Sequence, residues 1–413
     1  MVDLNTDLGG IKLKNPFIVA SSDIGCHLGQ IKEAAHFGAA AIITKGCIPR
    51  PEAVGLTRKP RFRVDFDKGT LCGVAGYRRL SLAQAMQLIS DAKKAVDIPV
   101  GANIIVGHPG EEERELVTKA SRVLYESGAD FIEINTSANL PAHFGESEKK
   151  GETAESFMDE MSAKYPGFVR QTIESVRSVV DVPIIGKVAY QDLNVQALME
   201  AMEGARVDVI DIGNSGVALL PDALDIYHPD RTGKIFVSAD KNLSLCCYGD
   251  PLRAVARANL IRGAKQLKTP ILGCGGIMNW KHGVEAIMCG ATATAICTAF
   301  MLYGFEILED MIAGLNSFME EQGYRSIKAF RGIIVDQIAL APSEVTVFDA
   351  VARVDPKKCN GCGLCAKPAH CGLNRRAMSL QEEIAVVDEG QCSGCETCAS
   401  ICPAGAITMI VKR

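Results

Sequence analysis

PIIGKVAYQDLNVQALMEAMEGARVDVIDIGNS, residues 183–215, decides the fold. It opens on an apolar, β-branched run at Pro183, passes through a stretch of helical periodicity from Val195 to Glu203, and returns to a second such run at Val209. An apolar run without alternation is a strand covered on both faces, and a helix joining two of them makes the strands parallel neighbours. The same unit recurs along the first 300 residues or so: PFIVASS from Pro16, AAIITKG from Ala40, PVGANII from Pro99, FIEINTS from Phe131, ILGCGG from Ile271 and ATAICTA from Ala293. Helical periodicity fills the intervals at Leu82–Ala95, Glu111–Glu126, Phe168–Val179, Pro251–Gln266 and Lys281–Met288. Eight strands alternating with helices close naturally into a (β/α)8 TIM barrel. A doubly wound open sheet is the alternative, but its glycine-rich dinucleotide fingerprint is missing after the first strand, where SSDIGCHLG stands instead.

Barrel chemistry sits at the C-terminal ends of strands. The polar residues Ser21, Ser22, Lys45, Asn103, Asn135, Ser137, Lys187, Asn214 and Ser215 all fall there. Each could cap a helix or satisfy a loop by itself; as a set they mark one active face. Strands seven and eight end in Gly273-Cys274-Gly275-Gly276 and Cys297-Thr298, where bare backbone N–H groups can approach a phosphate. Residues 47–81 and 216–250 follow strand ends on that face and are expected to be lids or walls. The N-terminus reads as two short strands around Gly9-Gly10.

The last sixty or so residues hold cysteines in two runs: Cys359, Cys362, Cys365 and Cys371, then Cys392, Cys395, Cys398 and Cys402 followed by Pro403. The second run has the C-x2-C-x2-C-x3-C-P spacing of a cuboidal iron–sulfur site, in which the fourth cysteine crosses over to the other cluster. That crossover assigns Cys359, Cys362, Cys365 and Cys402 to one [4Fe–4S] cluster and Cys392, Cys395, Cys398 and Cys371 to a second. Zinc sites or a disulfide knot are the alternatives; zinc usually takes C-x2-C pairs separated by a longer loop, and disulfides belong to an oxidising compartment. The first run departs from its sister, with Ala366 to His370 between its last two cysteines and no proline after it. The expected divisions are 1–315 for the barrel, 316–352 for a closing helix and linker, and 353–413 for a two-cluster ferredoxin-like domain.

Net charge is −5, with both signs spread along the chain, so no basic stripe points to nucleic acid and no polybasic cluster to anionic lipid. No apolar segment approaches the roughly 18 residues of a membrane span. The N-terminus does not read as a targeting sequence, so a cytoplasmic, reducing setting is expected, and with it a bland role as small buried hydrophobes for the eight cysteines outside the two runs.

With the strands, their polar ends, the paired glycines and the cysteine runs in place, the chain resembles the dihydroorotate dehydrogenase family of FMN barrels. In layout it looks like the pyrimidine-reducing, ferredoxin-fused part of dihydropyrimidine dehydrogenase. NPFIVASS, TKG at strand two, EDMIAGL and the cysteine runs carry the likeness in that order. The resemblance implies an FMN held by backbone near Ala20 and Ser21 and by Lys45, with Asn103 and Asn135 as polar contacts to the ring system and Lys187 beside flavin N1. It places the FMN phosphate at Gly249, Gly275, Gly276 and Thr298. It also implies hydride exchange with a C=C bond conjugated to a carbonyl, Asn214 and Ser215 reading a pyrimidine edge, and a partner that is an NAD(P)H-oxidising flavoprotein subunit or a soluble ferredoxin. An oligomer is expected.

Two departures from the family pattern bear on substrate. The family's loop after strand four reads N-x-S-C-P with a cysteine as proton-transfer group; here it reads Asn135-Thr136-Ser137-Ala138-Asn139-Leu140-Pro141. Alanine moves no proton, so Ser137, His143, His27 or Cys26 is the candidate in its place. In GYRRLS, Arg79 stands where the pyrimidine-binding enzymes carry asparagine, and a guanidinium suits a carboxylate. The alternatives are therefore a reductase or dehydrogenase of another unsaturated acid or amide, and a non-catalytic electron-transfer subunit. A tRNA-modifying flavin barrel would want a basic face that the charge distribution lacks.

Overall fold

A computed structural model of the chain describes residues 2–50, 61–67, 69–75, 79–136, 154–189, 194–213, 216–217, 246–346, 348–371 and 376–412. Contacts divide the chain into two compact units, Met1–Ile338 and Ala339–Arg413.

The first unit is a closed barrel. Its strands are β1 (Phe17–Val19), β2 (Ile42–Ile43), β3 (Val100–Ile105), β4 (Phe131–Asn135), β5 (Ile184–Val188), β6 (Val209–Ile212), β7 (Ile271–Cys274) and β8 (Ala293–Ile296). Each pairs in parallel with the next, and β8 returns to β1 through Ile296 opposite Val19. The helices that follow them are α1 (Leu28–His36), α2 (Leu82–Ala95), α3 (Glu111–Glu126), α4 (Ala154–Arg177), α5 (Val195–Gly204), α6 (Arg253–Gln266), α7 (Trp280–Met288), α8 (Thr298–Tyr303) and α9 (Ile307–Gln322). Helix α4 starts well before the expected Phe168 and runs through Pro166, whose ring removes a donor but does not end the helix. Helix α2 starts on a full capping box, Ser81 and Gln84 each satisfying the other's backbone N–H.

Side chains alternate across each strand, so every second residue faces the interior. Outward positions such as Ile132, Ile134, Ile184, Ile210 and Ile271 join the helices in one continuous apolar core. Inward positions change character along the barrel axis. At the N-terminal end Ile18, Phe131, Ile185, Val209, Leu272 and Ala293 form an apolar layer, covered by the antiparallel hairpin of Thr6–Leu8 and Ile11–Leu13 through Leu8, Ile11 and Leu13. One step further along the strands the interior turns polar: Asn103, Glu133, Lys187 and Asp211, all buried.

The two expected walls are one structure. Arg61–Asp65 pairs antiparallel with Thr70–Ala75, which pairs with Cys246–Gly249, which pairs with Gly216–Val217. The insertion after β2 and the insertion after β6 thus share a four-stranded sheet.

The second unit has a small core. Ala350–Val354 pairs with Ile407–Val411, and Met378–Gln381 forms a hairpin with Ile384–Val387. Its main buried cluster is Ala352, Cys365, Met378, Ala385, Cys398 and Ile407, ringed by the other cysteines of both runs except the exposed Cys362 and Cys395.

Candidate functional site

Register builds the centre of the barrel. Asn103 lies opposite Glu133, Asn135 opposite Lys187 and Lys187 opposite Asp211, so four neighbouring strands deliver polar side chains to one level. The Lys187 ammonium stands 2.5 Å from Asp211 Oδ2 and 3.7 Å from Glu133 Oε1. Asn103 Nδ2 donates to Glu133 Oε1, and Asn135 Nδ2 donates to Asn103 Oδ1 at 3.4 Å. Burial works against the charge on Lys187, but the Asp211 and Glu133 carboxylates outweigh it and hold the ammonium protonated well above its ordinary range. Burial pushes Glu133 up to about 7, while Lys187 and the Asn103 amide hold it from going higher. Glu133 Oε2 and Asp211 Oδ1 are buried without a hydrogen-bond partner.

A second cation occupies the corner between β1 and β2. Lys45, 5 % exposed, pairs with Asp23 at 3.3 Å, and Asp23 belongs to the turn after β1. Burial lowers the Lys45 pKa, Asp23 opposes that, and the Arg79 guanidinium lowers it further. Arg79 is half-buried and close enough for its charge to be felt at Lys45. Ser21 is half-buried in the same turn; the Ala20 amide is spent on Ile296 O at 2.9 Å, and the Ala20 carbonyl accepts from Ser22 Oγ at 3.0 Å.

The glycine positions meet across the mouth near β7 and β8. Gly249 and Gly276 adopt left-handed φ of +93° and +71°, and Gly275 lies at +117°. A Cβ on Gly249 would stand 2.1 Å from Gly69 O and 3.1 Å from Thr298 Cγ2; one on Gly276 would stand 2.6 Å from Arg253 Cα. Only glycine lets three backbone segments converge here. His282 Nδ1 lies 3.1 Å from Gly276 O, and Arg253 Nε pairs with Asp250 Oδ1 at 3.2 Å, which fixes these turns against α6 and α7.

In the second unit, Cys359, Cys362 and Cys365 of the first run line one pocket with Cys402 of the second. Backbone amides of Ala385 and Ala406 point at Cys359 Sγ and Cys402 Sγ at 3.5 and 3.3 Å, and that of Ala352 points at Cys392 Sγ at 3.5 Å. Donors from Ala385 and Gly361 hold the Cys359 thiol below its ordinary range, whereas burial pushes Cys398 up to about 11. Among the described residues no three His, Cys, Asp or Glu side chains converge on a single ion. Sulfurs spread around a pocket suit a polynuclear group instead, with the amides as the hydrogen bonds that tune it.

Of the residues expected from the sequence, the structure brings together Lys45 with Arg79, Asn103 with Asn135 and Lys187, Gly249 with Thr298, and four of the eight cysteines. Ser137, His143, Asn214 and Ser215 lie outside the described residues. Sequence reading missed Glu133 and Asp211. The signal was present: a single carboxylate centred in each of the apolar runs FIEIN and VIDIG can only face a barrel interior with a partner waiting.

A family model described as dihydroorotate dehydrogenase matches residues 3–319, and one described as a 4Fe-4S binding domain matches residues 385–408. The catalytic subunit of dihydroorotate dehydrogenase B (NAD(+)) from Thermoplasma volcanium is 29% identical over 338 residues, covering 81% of this chain and 99% of the relative. The corresponding Pyrococcus furiosus subunit is 27% identical, covering 80% of this chain and 99% of its own length. The NAD-dependent dihydropyrimidine dehydrogenase subunit PreA of Escherichia coli is 25% identical over 380 residues, covering 88% of this chain and 84% of the relative.

Proposed function

This chain belongs to the dihydroorotate dehydrogenase family, flavin-dependent oxidoreductases acting on CH–CH bonds, and we propose that it exchanges a hydride with a C=C bond conjugated to a carbonyl in a dihydropyrimidine- or dihydroorotate-type substrate. Electrons pass through two [4Fe–4S] clusters to or from an NAD(P)H-oxidising flavoprotein subunit or a soluble ferredoxin. The carrying observation is Lys187: a buried ammonium kept charged by two carboxylates at the active end of the barrel. The residues present fit FMN. Gly249 and Gly276 sit in turns packed so tightly on Gly69 and Arg253 that neither has room for a Cβ, and with Gly275, also at positive φ, they leave bare backbone beside Thr298 that suits a phosphate, while Lys187, Asn103 and Asn135 offer buried donors to the ring. Bound there, FMN supplies the junction between two-electron exchange with substrate and one-electron exchange with clusters. Cys359, Cys362, Cys365 and Cys402 would hold one cluster, and Cys371, Cys392, Cys395 and Cys398 the other.

The chain's own residues set the substrate end. Two cationic side chains, Lys45 and Arg79, stand near one another at that corner, and a guanidinium fork suits a substrate bearing a carboxylate. Ser137 or His143 moves the substrate proton in place of the cysteine that Ala138 lacks. The test is anaerobic: reduce the FMN- and cluster-loaded protein with dithionite and follow the flavin spectrum while adding uracil, thymine, orotate and a panel of unsaturated acids. Reoxidation by a pyrimidine or by orotate is the expected result. A flavin that stays reduced with every compound would leave a non-catalytic electron carrier.

A further inference from the structure

The polar layer inside the barrel holds more acid than one lysine neutralises. Lys187 from β5 contributes one positive charge, Asp211 from β6 makes the 2.5 Å contact to it, and Glu133 from β4 adds a second carboxylate at 3.7 Å. All are within 3 % of complete burial. Glu133 Oε2 and Asp211 Oδ1 both lie without a donor, yet the two carboxyl groups are near enough to share a hydrogen bond when one is protonated. One proton on the pair satisfies an oxygen of each and brings the layer to neutrality; without it the layer carries one uncompensated negative charge away from water. Among the described residues, the other groups around it do not supply that compensation. Asn103 from β3 donates to Glu133 but carries no charge, Cys274 from β7 and Cys297 just after β8 are thiols held neutral by burial, and Lys45 just after β2 is paired with Asp23.

We propose that Glu133 is a redox-linked proton acceptor that works through Lys187 as a positioning residue: it takes up a proton when an electron pair is loaded beside Lys187 and releases it when the pair leaves. This rests on the reading that Lys187 lies beside FMN. Hydride transfer breaks a substrate C–H bond and carries its electron pair and hydrogen to the flavin, while the second substrate hydrogen leaves as a proton to the loop group. One net negative charge thereby appears next to Lys187 and draws on the same ammonium that was compensating the carboxylates. A like charge nearby raises the proton affinity of a carboxylate, so the pair retains or takes up one proton from solvent. Asp211, in direct contact with Lys187, keeps the ammonium in place. The ordinary burial-raised position of Glu133, about 7, puts this exchange in the neutral range.

The experiment compares the flavin midpoint potential of the holoenzyme and of Glu133→Gln from about pH 6 to about pH 9. In the wild type the midpoint should fall more steeply with pH, by one extra proton per electron pair, across the upper part of that range; in the variant the extra proton should be missing. A parallel infrared difference spectrum, reduced minus oxidised, of the wild-type holoenzyme should gain the C=O stretch of a protonated carboxylic acid, and this decides the matter if the variant does not fold. Equal slopes, or no gained acid band, overturn the proposal while leaving FMN binding intact. Failure of the purified protein to bind FMN overturns the flavin reading itself.

Discussion

Lys187→Met keeps the length of the side chain and removes its charge, leaving Asp211 and Glu133 facing each other inside the barrel. Both carboxylates are completely buried, so solvent does not screen the loss. Breaking a buried pair by removing one partner costs about 3–5 kcal/mol, because an uncompensated charge remains. The pH dependence follows from Glu133. Its folded-state pKa, about 7, stands above its ordinary 4.5, so burial makes the folded state hold the proton and its stability declines as pH rises between those values. Lys187 lowers the Glu133 pKa in the wild type; in the variant that pKa is higher still. Below about pH 7 both proteins keep the proton on Glu133 when folded and the gap between them is constant. Above it the wild type has finished losing stability while the variant continues, so the gap widens by about 1.4 kcal/mol per pH unit. Trp280, the only tryptophan in the chain, lies in the barrel unit, and its fluorescence during anaerobic urea unfolding reports that unit. A gap under about 1 kcal/mol that stays flat with pH would place the layer in contact with water and refute the reasoning.

Arg79→Asn should raise the KM for a carboxylate-bearing substrate at least about tenfold, roughly 1.4 kcal/mol, and leave a neutral pyrimidine nearly unaffected; steady-state kinetics on both decide it, and equal effects would count against a carboxylate contact. Gly249→Ala puts a Cβ 2.1 Å from the Gly69 carbonyl oxygen at a left-handed φ, so the turn must shift by more than a side-chain adjustment. FMN should be lost on desalting while far-UV circular dichroism stays close to wild type, and full retention of flavin would move the phosphate elsewhere. Cys402→Ser, acting on the pocket lined by Cys359, Cys362 and Cys365, should reduce the iron content from about eight to about four per chain, with the rest held by the other run. Loss of all iron would mean that the two runs fold around their clusters as one unit.

The eight strands were legible because a strand covered on both faces must be apolar throughout, and that requirement leaves runs such as PIIGKV and VIDIG in plain sight. Lys45, Asn103, Asn135 and Lys187 were legible because a polar residue at the end of such a run has one place to go. What local reading lacks is register between distant segments. Thr70–Ala75 and Cys246–Gly249 are far apart in sequence and neither alternates, so nothing in either says that they pair. The convergence of Gly69, Gly249 and Thr298 is hidden for the same reason. Helix α4 passes Pro166 because the helix packs on α3 and α5, a tertiary gain that outweighs the local penalty of one missing donor.

The two units also differ in what holds them together. The barrel buries whole layers of isoleucine, leucine and valine. Among the described residues, the largest buried cluster of the Ala339–Arg413 unit has only six members, of which two, Cys365 and Cys398, are ligand candidates. A unit of that size draws no more than about 3–5 kcal/mol from its apolar core, so metal binding and folding are one event there. Burial pushes the Cys398 thiol up to about 11, and Cys392, Cys395 and Cys365 around it add to that rise, so gathering these thiolates would require the positive charge of bound iron. Anaerobic chelation of iron should therefore collapse hydrogen-exchange protection across Ala350–Val354 and Ile407–Val411 and leave β3 through β6 protected, with the Trp280 unfolding midpoint unmoved. Persistence of protection in those two strands after complete loss of iron would show that the small core suffices, and the cysteines would then be passengers of the fold rather than its framework.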